Sequence, residues 1–398
     1  MSRYDISRRN VLKLTGASAA LVGATGLGAG SNIDRDEVNG GSGGDRDEVN
    51  VSSGGDRIEV NVGFANGRGR TVARETATEL RREFDELDAM TLVLPEEAVQ
   101  SLENDPDIRY VEENGTMEAL DTYPWGVERI SSDVAHHDGY TGAGVDVAII
   151  DTGIDPNHPD LTPNIGGGEC FVSCTGGSCA TCWDDDQGHG THVAGTVAAA
   201  QTGSGLIGVA HEAILWAVKV LDSSGTGSFS DIAAGIRWAA REGHDIANMS
   251  LGSTTHSSLI HDACQYAYCQ GMLLVAAAGN AGTPDSVIYP AAYPECIAVS
   301  ATDHNDDLAG FSSRGSEVEL AAPGEDITST AAGGGTATMS GTSMAAPHVT
   351  GVGALVMAQG LTASETRMRL RNTAEDIGLS PAQQGHGLVD AAEAVDGL

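Results

Sequence analysis

Lysine is almost absent from this chain, and basic residues as a whole are scarce. The 398 residues include 56 Asp and Glu but only 21 Lys and Arg, and the only lysines are Lys13 and Lys219. The formal charge of −35 excludes nucleic acid as a natural partner, because nucleic-acid binding needs a basic surface. An acidic surface repels itself in dilute solution and is screened in brine, so we interpret it as salt adaptation. An ordinary acidic secreted protein is the alternative.

Aromatic residues and long apolar runs are also few. Phe, Trp and Tyr make up 4% of the residues, whereas 40% are hydrophobic and 53 residues are Gly. This composition favours a compact, loop-rich α/β enzyme over a disordered or fibrous chain, and the length suggests two to three folding units. Beyond residue 30 no 18 consecutive residues are apolar, so we expect the mature protein to make no contact with a membrane.

Residues 1–30 carry a pair of arginines followed by an uncharged stretch. Arg8 and Arg9 precede an Ala- and Gly-rich run at 14–30, and Val11 stands where twin-arginine export signals usually have Phe. The run is too short and too rich in glycine for a membrane span. We therefore expect a twin-arginine signal peptide at 1–30 and a secreted, extracellular product. A cytosolic protein with a chance arginine pair is the alternative.

Four of the seven cysteines lie close together. Export argues for oxidation, so disulfides are the default use of these thiols. Four close thiols can also hold zinc, but no His lies among them, and we favour two short disulfides that brace a loop. The state of the other three thiols stays open, and at least one of them is unpaired. The cluster is Cys170, Cys174, Cys179 and Cys182, and the others are Cys264, Cys269 and Cys296.

Two segments precede the main part of the chain. At 31–57 a motif repeats every 11 residues between Gly and Ser, and we interpret this segment as a flexible linker. At 58–118 alternating apolar residues and one apolar helical face predict a small α+β unit. A unit of about 60 residues is marginally stable, so we expect it to depend on a larger partner. Its strands are expected at 58–62, 90–94 and 108–111, and its helices at 73–87 and 98–102.

From 123 onward, continuous apolar segments alternate with helical patterns. This alternation predicts an α/β fold with a mostly parallel sheet that helices cover on both faces. In such sheets, functional sites lie beyond the carboxyl ends of the strands. Strands are expected at 145–150, 213–221, 245–249, 272–277 and 297–301, and helices at 189–200, 228–242, 259–270, 344–358 and 363–373.

Three segments place reactive side chains where that rule predicts them. Asp151 ends a buried strand, His189 begins an apolar helix, and Ser343 precedes small residues and Pro347, which we place in a first helical turn. Each feature alone is usually structural, because Asp and Ser commonly cap turns and helices. Together, in the order Asp, His, Ser, they indicate nucleophilic catalysis.

The three segments resemble the active-site motifs of the subtilisin-like serine proteases, the peptidase S8 family. The acidic form with a twin-arginine signal resembles the halolysins of haloarchaea. The resemblance implies a subtilisin-like peptidase domain at 119–398. The unit at 58–118 resembles the family's inhibitory and chaperone-like propeptide, an inhibitor I9-like module with a ferredoxin-like fold. Self-cleavage is then expected between Glu118 and Asp121.

Each motif residue receives a chemical role. The Ser343 hydroxyl needs a base, His189 can take its proton and return it to the leaving amine, and Asp151 holds the imidazole tautomer. His192 lies three residues after His189, but no Glu and no third ligand complete a zinc site. His348 more simply fixes the backbone of its motif, and Asp155 fits a turn.

The resemblance also assigns substrate contacts and an oxyanion donor. Asn280 matches the family's side-chain donor, and the backbone N–H of Ser343 is the second donor. A peptide substrate is expected to pair as an added strand between two Gly-containing segments. Ile288 stands where the family often has Gly at the floor of the main specificity pocket, so large aromatic side chains should fit less well. The two segments contain Gly225 and Gly227, and Ser250, Leu251 and Gly252.

A structural calcium ion is also implied. Asp160 matches a carboxylate ligand of the family's strong site, and Asp121 lies where a second oxygen ligand is expected. Backbone carbonyls of the loop at 200–206 supply other ligands. Thr202 stands where the family usually has Asn.

The sequence therefore predicts a secreted, calcium-assisted, monomeric serine endopeptidase. It would cleave proteins and peptides broadly through an acyl-enzyme, remove its own propeptide and inhibitor, and work in concentrated salt. The alternative is an inactive subtilisin-like binding or surface protein, which would normally lack one of the four catalytic residues. An exopeptidase or esterase would need a groove closed at one end.

Overall fold

The computed structural model describes residues 57–115, 122–175, 179–203 and 205–398. They belong to two compact units, Met1–Gly115 and Thr116–Leu398. The expected signal peptide, nearly all of the expected linker, the expected cleavage site and Asp121 lie outside the described residues. Among the described helices, none combines the length and apolar composition needed to cross a bilayer.

The first unit is a four-stranded antiparallel sheet with two helices. The strand order is β2-β3-β1-β4, that of a ferredoxin-like βαββαβ fold. Val60 and Val62 of β1 pair with Leu92 and Met90 of β3, and both helices pack on this apolar face. The expected strands and the helix at 98–102 are confirmed. The elements are β1 (Arg57–Phe64), α1 (Gly67–Thr76), β2 (Glu79–Phe84), β3 (Ala89–Pro95), α2 (Glu96–Glu103) and β4 (Ile108–Glu113).

The helix expected at 73–87 is wrong beyond residue 76. Asn66 caps the start of α1 by accepting hydrogen bonds from two backbone amides, but the helix ends at Thr76. Leu80 and Phe84 instead lie in β2 and pair with β3. Apolar residues three and four apart fit a helix, but pairing with β3 outweighs that weak local preference. Leu87 is 63% exposed, so no buried helical face exists there.

The second unit is built on a seven-stranded sheet whose paired strands are all parallel. Their order is β11-β10-β9-β8-β5-β7-β6. The strands are β5 (Asp146–Asp151), β6 (Ile165–Cys170), β7 (Ile214–Lys219), β8 (Ile246–Met249), β9 (Leu273–Ala277), β10 (Cys296–Thr302) and β11 (Val318–Pro323), with an antiparallel pair, β12 (Ile327–Thr330) and β13 (Thr336–Met339). The helices are α3 (Trp125–Arg129), α4 (Ser132–His137), α5 (His189–Ala198), α6 (Phe229–Glu242), α7 (Ser258–Cys269), α8 (Thr342–Met357), α9 (Ala363–Thr373), α10 (Pro381–Gln384) and α11 (Ala391–Val395).

Helices cover both faces of this sheet. Along β5, Ile149 faces a core formed with α5 and α8, whereas Ile150 faces a core formed with α6 and α7. The expected fold class, a subtilisin-like α/β domain with a mostly parallel sheet, is confirmed. The expected strands and helices are present, with ends that differ by a few residues. The sequence does not predict β6, β11 or the pair β12 and β13.

The sheet brings the candidate catalytic segments to one edge. β9, β8 and β5 are neighbours, and all three run in the same direction. Asp151 is the last residue of β5, Ser250 directly follows β8, and Asn280 lies three residues after β9. The carboxyl ends of neighbouring parallel strands therefore meet at the site.

Candidate active site

Asp151 and His189 form a close hydrogen-bonded pair. Nδ1 of His189 lies 2.7 Å from Oδ1 of Asp151, and Asp151 is fully buried. A carboxylate only accepts, so Nδ1 carries the proton and Nε2 is left as a base. Gly190 permits this approach of α5 to the end of β5, since a Cβ on Gly190 would lie 2.1 Å from the carbonyl oxygen of Gly153.

The charge of the site raises the pKa of His189. Burial by itself lowers that pKa, but the charge and hydrogen bond of Asp151 raise it by more, and Asp185 adds to the rise. The net pKa is above the ordinary value of a histidine. The site therefore stabilises the imidazolium that forms when His189 accepts a proton.

Ser343 is the second residue of α8 and is held by Ser250. Its Oγ donates to the carbonyl oxygen of Ser250 at 3.2 Å, and Ser250 Oγ donates to the carbonyl oxygen of Ser343 at 2.8 Å. Pro347 has no N–H, so the carbonyl four residues earlier, that of Ser343, has no intrahelical partner. Ser250 supplies that partner. The placement of Pro347 in the first turn is wrong, because α8 begins at Thr342 and Pro347 is its sixth residue.

Asn280 is oriented by the same helix. Its Oδ1 accepts hydrogen bonds from the backbone N–H and the hydroxyl of Thr342, at 2.9 and 3.0 Å. The acceptor end of the amide is therefore engaged, and Nδ2 is the end available to donate. The first amides of α8 have no intrahelical acceptor, so the N–H of Ser343 is a second donor at this helix start.

A cleft of about 500 Å³ brings His189 together with both expected substrate segments. Ser343, Asn280 and Ile288 are not among its lining residues. Ser343 is nevertheless bonded to Ser250 at the cleft wall. The lining includes Gly225 and Gly227 on one side, and Ser250, Leu251 and Gly252 on the other.

Ile288 lies between two glycines, of which Gly252 lines the cleft. A Cβ on Gly252 would lie 2.5 Å from Cδ1 of Ile288, and a Cβ on Gly279 would lie 3.1 Å from its Cγ2. The isoleucine therefore fills the space that these glycines leave open, next to the residue that precedes Asn280.

Two other motif histidines are buried and structural. Nε2 of His192 lies 3.1 Å from the carbonyl oxygens of Ile327 and Ala337, and Nδ1 of His348 lies 2.8 Å from that of Met344. Burial lowers the pKa of each to about 4. Both are neutral near pH 7, and neither joins a metal-binding group within the described residues.

Two of the three expected calcium ligands, Asp160 and Thr202, lie in contact with each other. Asp160 is 7% exposed and accepts a hydrogen bond from the Thr202 hydroxyl at 2.9 Å. No basic side chain of the described residues pairs with it. A buried carboxylate without a basic partner, beside a cavity of about 480 Å³ that Thr202 and Gly205 help to line, fits a hard cation. Asp121 lies outside the described residues.

The clustered cysteines form two disulfides, as expected. The pairs are Cys170–Cys182 and Cys174–Cys179. Glu169 lies close to the first pair, but sulfur atoms joined to each other are not thiolate ligands for zinc. Free thiols remain on Cys264 and Cys296, which are buried, and on Cys269, which is exposed.

Sequence reasoning missed a buried polar network beneath the site. Asp185 bonds to Thr152 and Thr191, and Lys219 donates to Asp186 at 2.7 Å and to the carbonyl of Thr152 at 2.5 Å. The available signal was a run of three aspartates at 184–186, just before a helix start, where acidic residues commonly cap.

Comparison with known proteins identifies close relatives. The chain is 45% identical over 323 residues to M-protease of Shouchella clausii (strain KSM-K16), covering 80% of this chain and 82% of the relative. It is 44% identical over 324 residues to alkaline elastase YaB of Bacillus sp. (strain YaB), covering 81% and 83%. Subtilisin E of Bacillus subtilis (strain 168) is 41% identical over 336 residues, covering 83% and 86%.

The family assignment rests on the central part of the chain. Residues 142–387 match the peptidase S8 subtilase family, a span that includes Asp151, His189 and Ser343. Because this match, the parallel sheet and the relatives above agree, the chain belongs to the subtilase family and is a serine endopeptidase.

Proposed function

We propose that Asp151, His189 and Ser343 act as a catalytic triad that hydrolyses peptide bonds. The hydrogen bond of 2.7 Å between Asp151 and Nδ1 of His189 carries this proposal, because it leaves Nε2 as the base. Ser250 supports it, since this residue lines the cleft beside His189 and bonds to Ser343.

The reaction proceeds in two halves. Nε2 of His189 takes the proton of Ser343 as Oγ bonds to the substrate carbonyl carbon, and the carbonyl oxygen becomes negative. When the intermediate collapses, the C–N bond breaks, and His189 gives its proton to the leaving amine. A water molecule then repeats the sequence on the acyl-enzyme and releases the carboxylic acid and Ser343.

Asn280 is proposed to stabilise the oxyanion. Its Oδ1 is engaged by Thr342, so Nδ2 donates to the developing negative charge together with the N–H of Ser343. Donors fixed before the reaction need no reorganisation in the transition state, which is why such groups contribute strongly.

The substrate is proposed to be an extended protein or peptide segment. Backbone pairing with the two glycine-containing segments gives affinity without much sequence selection, so cleavage is broad. Ile288 fills the space between Gly252 and Gly279, and it restricts the size of the side chain before the cleaved bond. Aromatic residues are therefore disfavoured there.

A structural calcium ion is proposed near Asp160. Asp160, Thr202 and Asp121 are its candidate ligands, together with backbone oxygens of the loop at 200–206. A bound ion would offset the buried charge of Asp160 and tie this loop to the chain start of the domain. It would have no part in the chemical step.

The segments before residue 119 are proposed to serve export and maturation. The domain at 119–398 is about 70% of the chain. The alignment with M-protease covers 80% of the chain, so it also includes residues before position 119. The ferredoxin-like strand order of the first unit supports its role as a propeptide and inhibitor. The arginine pair supports twin-arginine export at 1–30, and the charge of −35 supports activity in concentrated salt. The proposed enzyme is therefore a secreted, halolysin-like protein, and it is proposed to act as a monomer.

The test compares the full chain with its Ser343→Ala variant in molar salt. Intact mass spectrometry and a serine-directed fluorophosphonate probe report processing and labelling. The parent should lose about 118 to 121 residues, the cut predicted between Glu118 and Asp121, and react with the probe, whereas the variant should do neither. Two folded chains that both stay uncut and unlabelled would contradict the proposal.

A further inference from the structure

Asp185 is a buried carboxylate that receives hydrogen bonds from two catalytic segments. Its Oδ1 accepts from Thr152 Oγ1 at 2.9 Å and from the backbone amides of Gln187 and Gly188 at 3.0 and 2.8 Å. Its Oδ2 accepts from the amide and the hydroxyl of Thr191, at 2.9 and 2.6 Å. Asp185 is 8% exposed, so little water competes for these bonds.

These bonds join the residues next to Asp151 and His189. Thr152 directly follows Asp151, and Thr191 lies two residues after His189. The Thr152 hydroxyl, which donates to Asp185, also accepts from the N–H of Gly190 at 2.9 Å. The position of the imidazole relative to its carboxylate partner therefore depends on this link.

The same residues satisfy the exposed amides at the start of α5. The N–H of His189 donates to Oε1 of Gln187 at 2.7 Å, that of Gly190 to Thr152, and that of Thr191 to Asp185. A helix start carries a partial positive charge, and a buried carboxylate is favourable there. Asp185 thus fixes the helical turn that carries the catalytic base.

The charge of Asp185 also acts on His189. The charged groups that raise the pKa of His189 are Asp151 and Asp185, and the neighbouring titratable group is His192, whose own pKa is lowered by burial and by His189. His192 is neutral near pH 7 because burial lowers its pKa to about 4. The two carboxylates therefore favour the protonated imidazole.

We propose that Asp185 is a positioning residue for peptide-bond hydrolysis, which holds His189 against Asp151 through Thr152 and Thr191 and stabilises the imidazolium through its charge. This inference rests on the proposed triad. A purely structural cap would make the same hydrogen bonds, but its loss would change stability and not the ionisation of the base.

Asp185→Asn and Asp155→Asn form a matched pair of variants. Asp155 is also 8% exposed, and its carboxylate accepts from the amides of Asn157 and Gly333 at 2.9 and 2.8 Å. It does not bond to Thr152, and it does not contribute to the pKa shift of His189. Each variant removes one buried negative charge without changing side-chain size.

The mature enzymes are compared by kcat, by the profile of kcat/KM against pH, and by Tm. Asp185→Asn should lower kcat by roughly 10- to 100-fold, the cost expected for a misplaced catalytic group. Loss of a negative charge lowers the pKa of His189, so the acidic limb of the profile should move to lower pH. Asp155→Asn should lower Tm and keep the parental acidic limb.

A parental kcat and acidic limb in folded Asp185→Asn would overturn the proposal. If that variant does not fold, Thr152→Val decides, because it breaks the link and keeps the charge. Its kcat should fall by roughly tenfold with an unchanged acidic limb, and a parental kcat would again overturn the proposal. A parent enzyme that the fluorophosphonate does not label would instead overturn the triad itself.

Discussion

Each of the helices α5 and α8 carries a proposed catalytic side chain in its first turn, His189 and Ser343, yet different kinds of interaction hold these two turns. The start of α5 rests on Asp185, and the neighbouring Asp186 pairs with buried Lys219. The start of α8 is held by neutral groups, the amide of Asn280 and the hydroxyls of Thr342 and Ser250. The proposed base, His189, therefore lies among charged groups, whereas the proposed nucleophile, Ser343, lies among neutral ones.

This difference follows from what each side chain does. In the proposed mechanism His189 gains a positive charge, and nearby carboxylates stabilise that charge. In the same mechanism Ser343 releases its proton and bonds to carbon, and a carboxylate there would oppose the forming oxyanion. Donors without formal charge serve the nucleophile better. Loss of a carboxylate charge on the α5 side should therefore alter the pH profile, whereas loss of a neutral donor on the α8 side should alter kcat alone.

The largest expected fall in kcat comes from a substitution next to the start of α8. Asn280→Ala should lower kcat by roughly 10²- to 10³-fold, because one preorganised oxyanion donor is lost, and should leave the acidic limb in place. Steady-state kinetics across pH measure both quantities. Asn280→Asp is the control for the contact with Thr342, since it keeps an acceptor and removes the donor. Near-parental kcat in the Asp variant would show that Nδ2 is not the donor.

A smaller effect is expected in the specificity pocket beside that helix. Ile288→Gly should open the space between Gly252 and Gly279 and raise the preference for Phe or Tyr over Ala before the cleaved bond. The ratio of kcat/KM values should rise roughly 10- to 100-fold, the range expected for apolar pocket contacts.

Paired peptide substrates that differ only at that position measure the change. Val287→Ala alters the adjacent, partly buried side chain and should leave the ratio as it is. A parental enzyme that already prefers Phe or Tyr strongly would mean that Ile288 does not limit the pocket.

The sequence predicts the parallel sheet from local apolar patterns, and this prediction is confirmed, whereas the proposed triad rests on three short motifs that resemble those of a known family. Apolar strands such as 145–150 are continuous, and Asp151, His189 and Ser343 lie at the ends of elements. The helix expected at 73–87 is wrong because Leu80 and Phe84 pair with β3, a contact between segments that periodicity does not report.

Other features depend on contacts that no local pattern contains. β6 has three consecutive glycines and little strand preference, and its pairing with β7 determines its structure. Asp185 looks like one acid among many in a chain of charge −35, and only the fold shows that it bonds to both Thr152 and Thr191. In a sequence so rich in acidic residues, composition does not distinguish a buried carboxylate such as Asp185 from the exposed ones.

The disulfide loop offers the sharpest test of the charged side. Thr175 donates from its amide to Asp186 at 2.8 Å, and the amide of Ala180 donates to Asp184 at 2.7 Å. The loop closed by the Cys170–Cys182 disulfide therefore donates hydrogen bonds to Asp184 and Asp186, the two neighbours of Asp185. Loss of the Cys170–Cys182 disulfide should weaken the hydrogen bonds that fix the start of α5 and leave the start of α8 unchanged.

Cys170→Ser with Cys182→Ser should lower the free energy of unfolding by about 2–3 kcal/mol, the value expected for a short closed loop. Urea unfolding of enzyme inactivated by fluorophosphonate, which prevents self-digestion, measures it. Cys269→Ser, an exposed free thiol, is the control and should be neutral. An unfolding free energy equal to that of the parent would contradict the prediction.

The same double variant should lower kcat by roughly three- to tenfold through the displaced His189. If the loop acts through Asp185, this loss should nearly vanish in an Asp185→Asn background, because residues in one hydrogen-bonded network are not additive. In an Asn280→Ala background the loss should persist in full, since that residue supports the other helix. Equal losses in both backgrounds would mean that the disulfide reaches the active site by a route independent of Asp185.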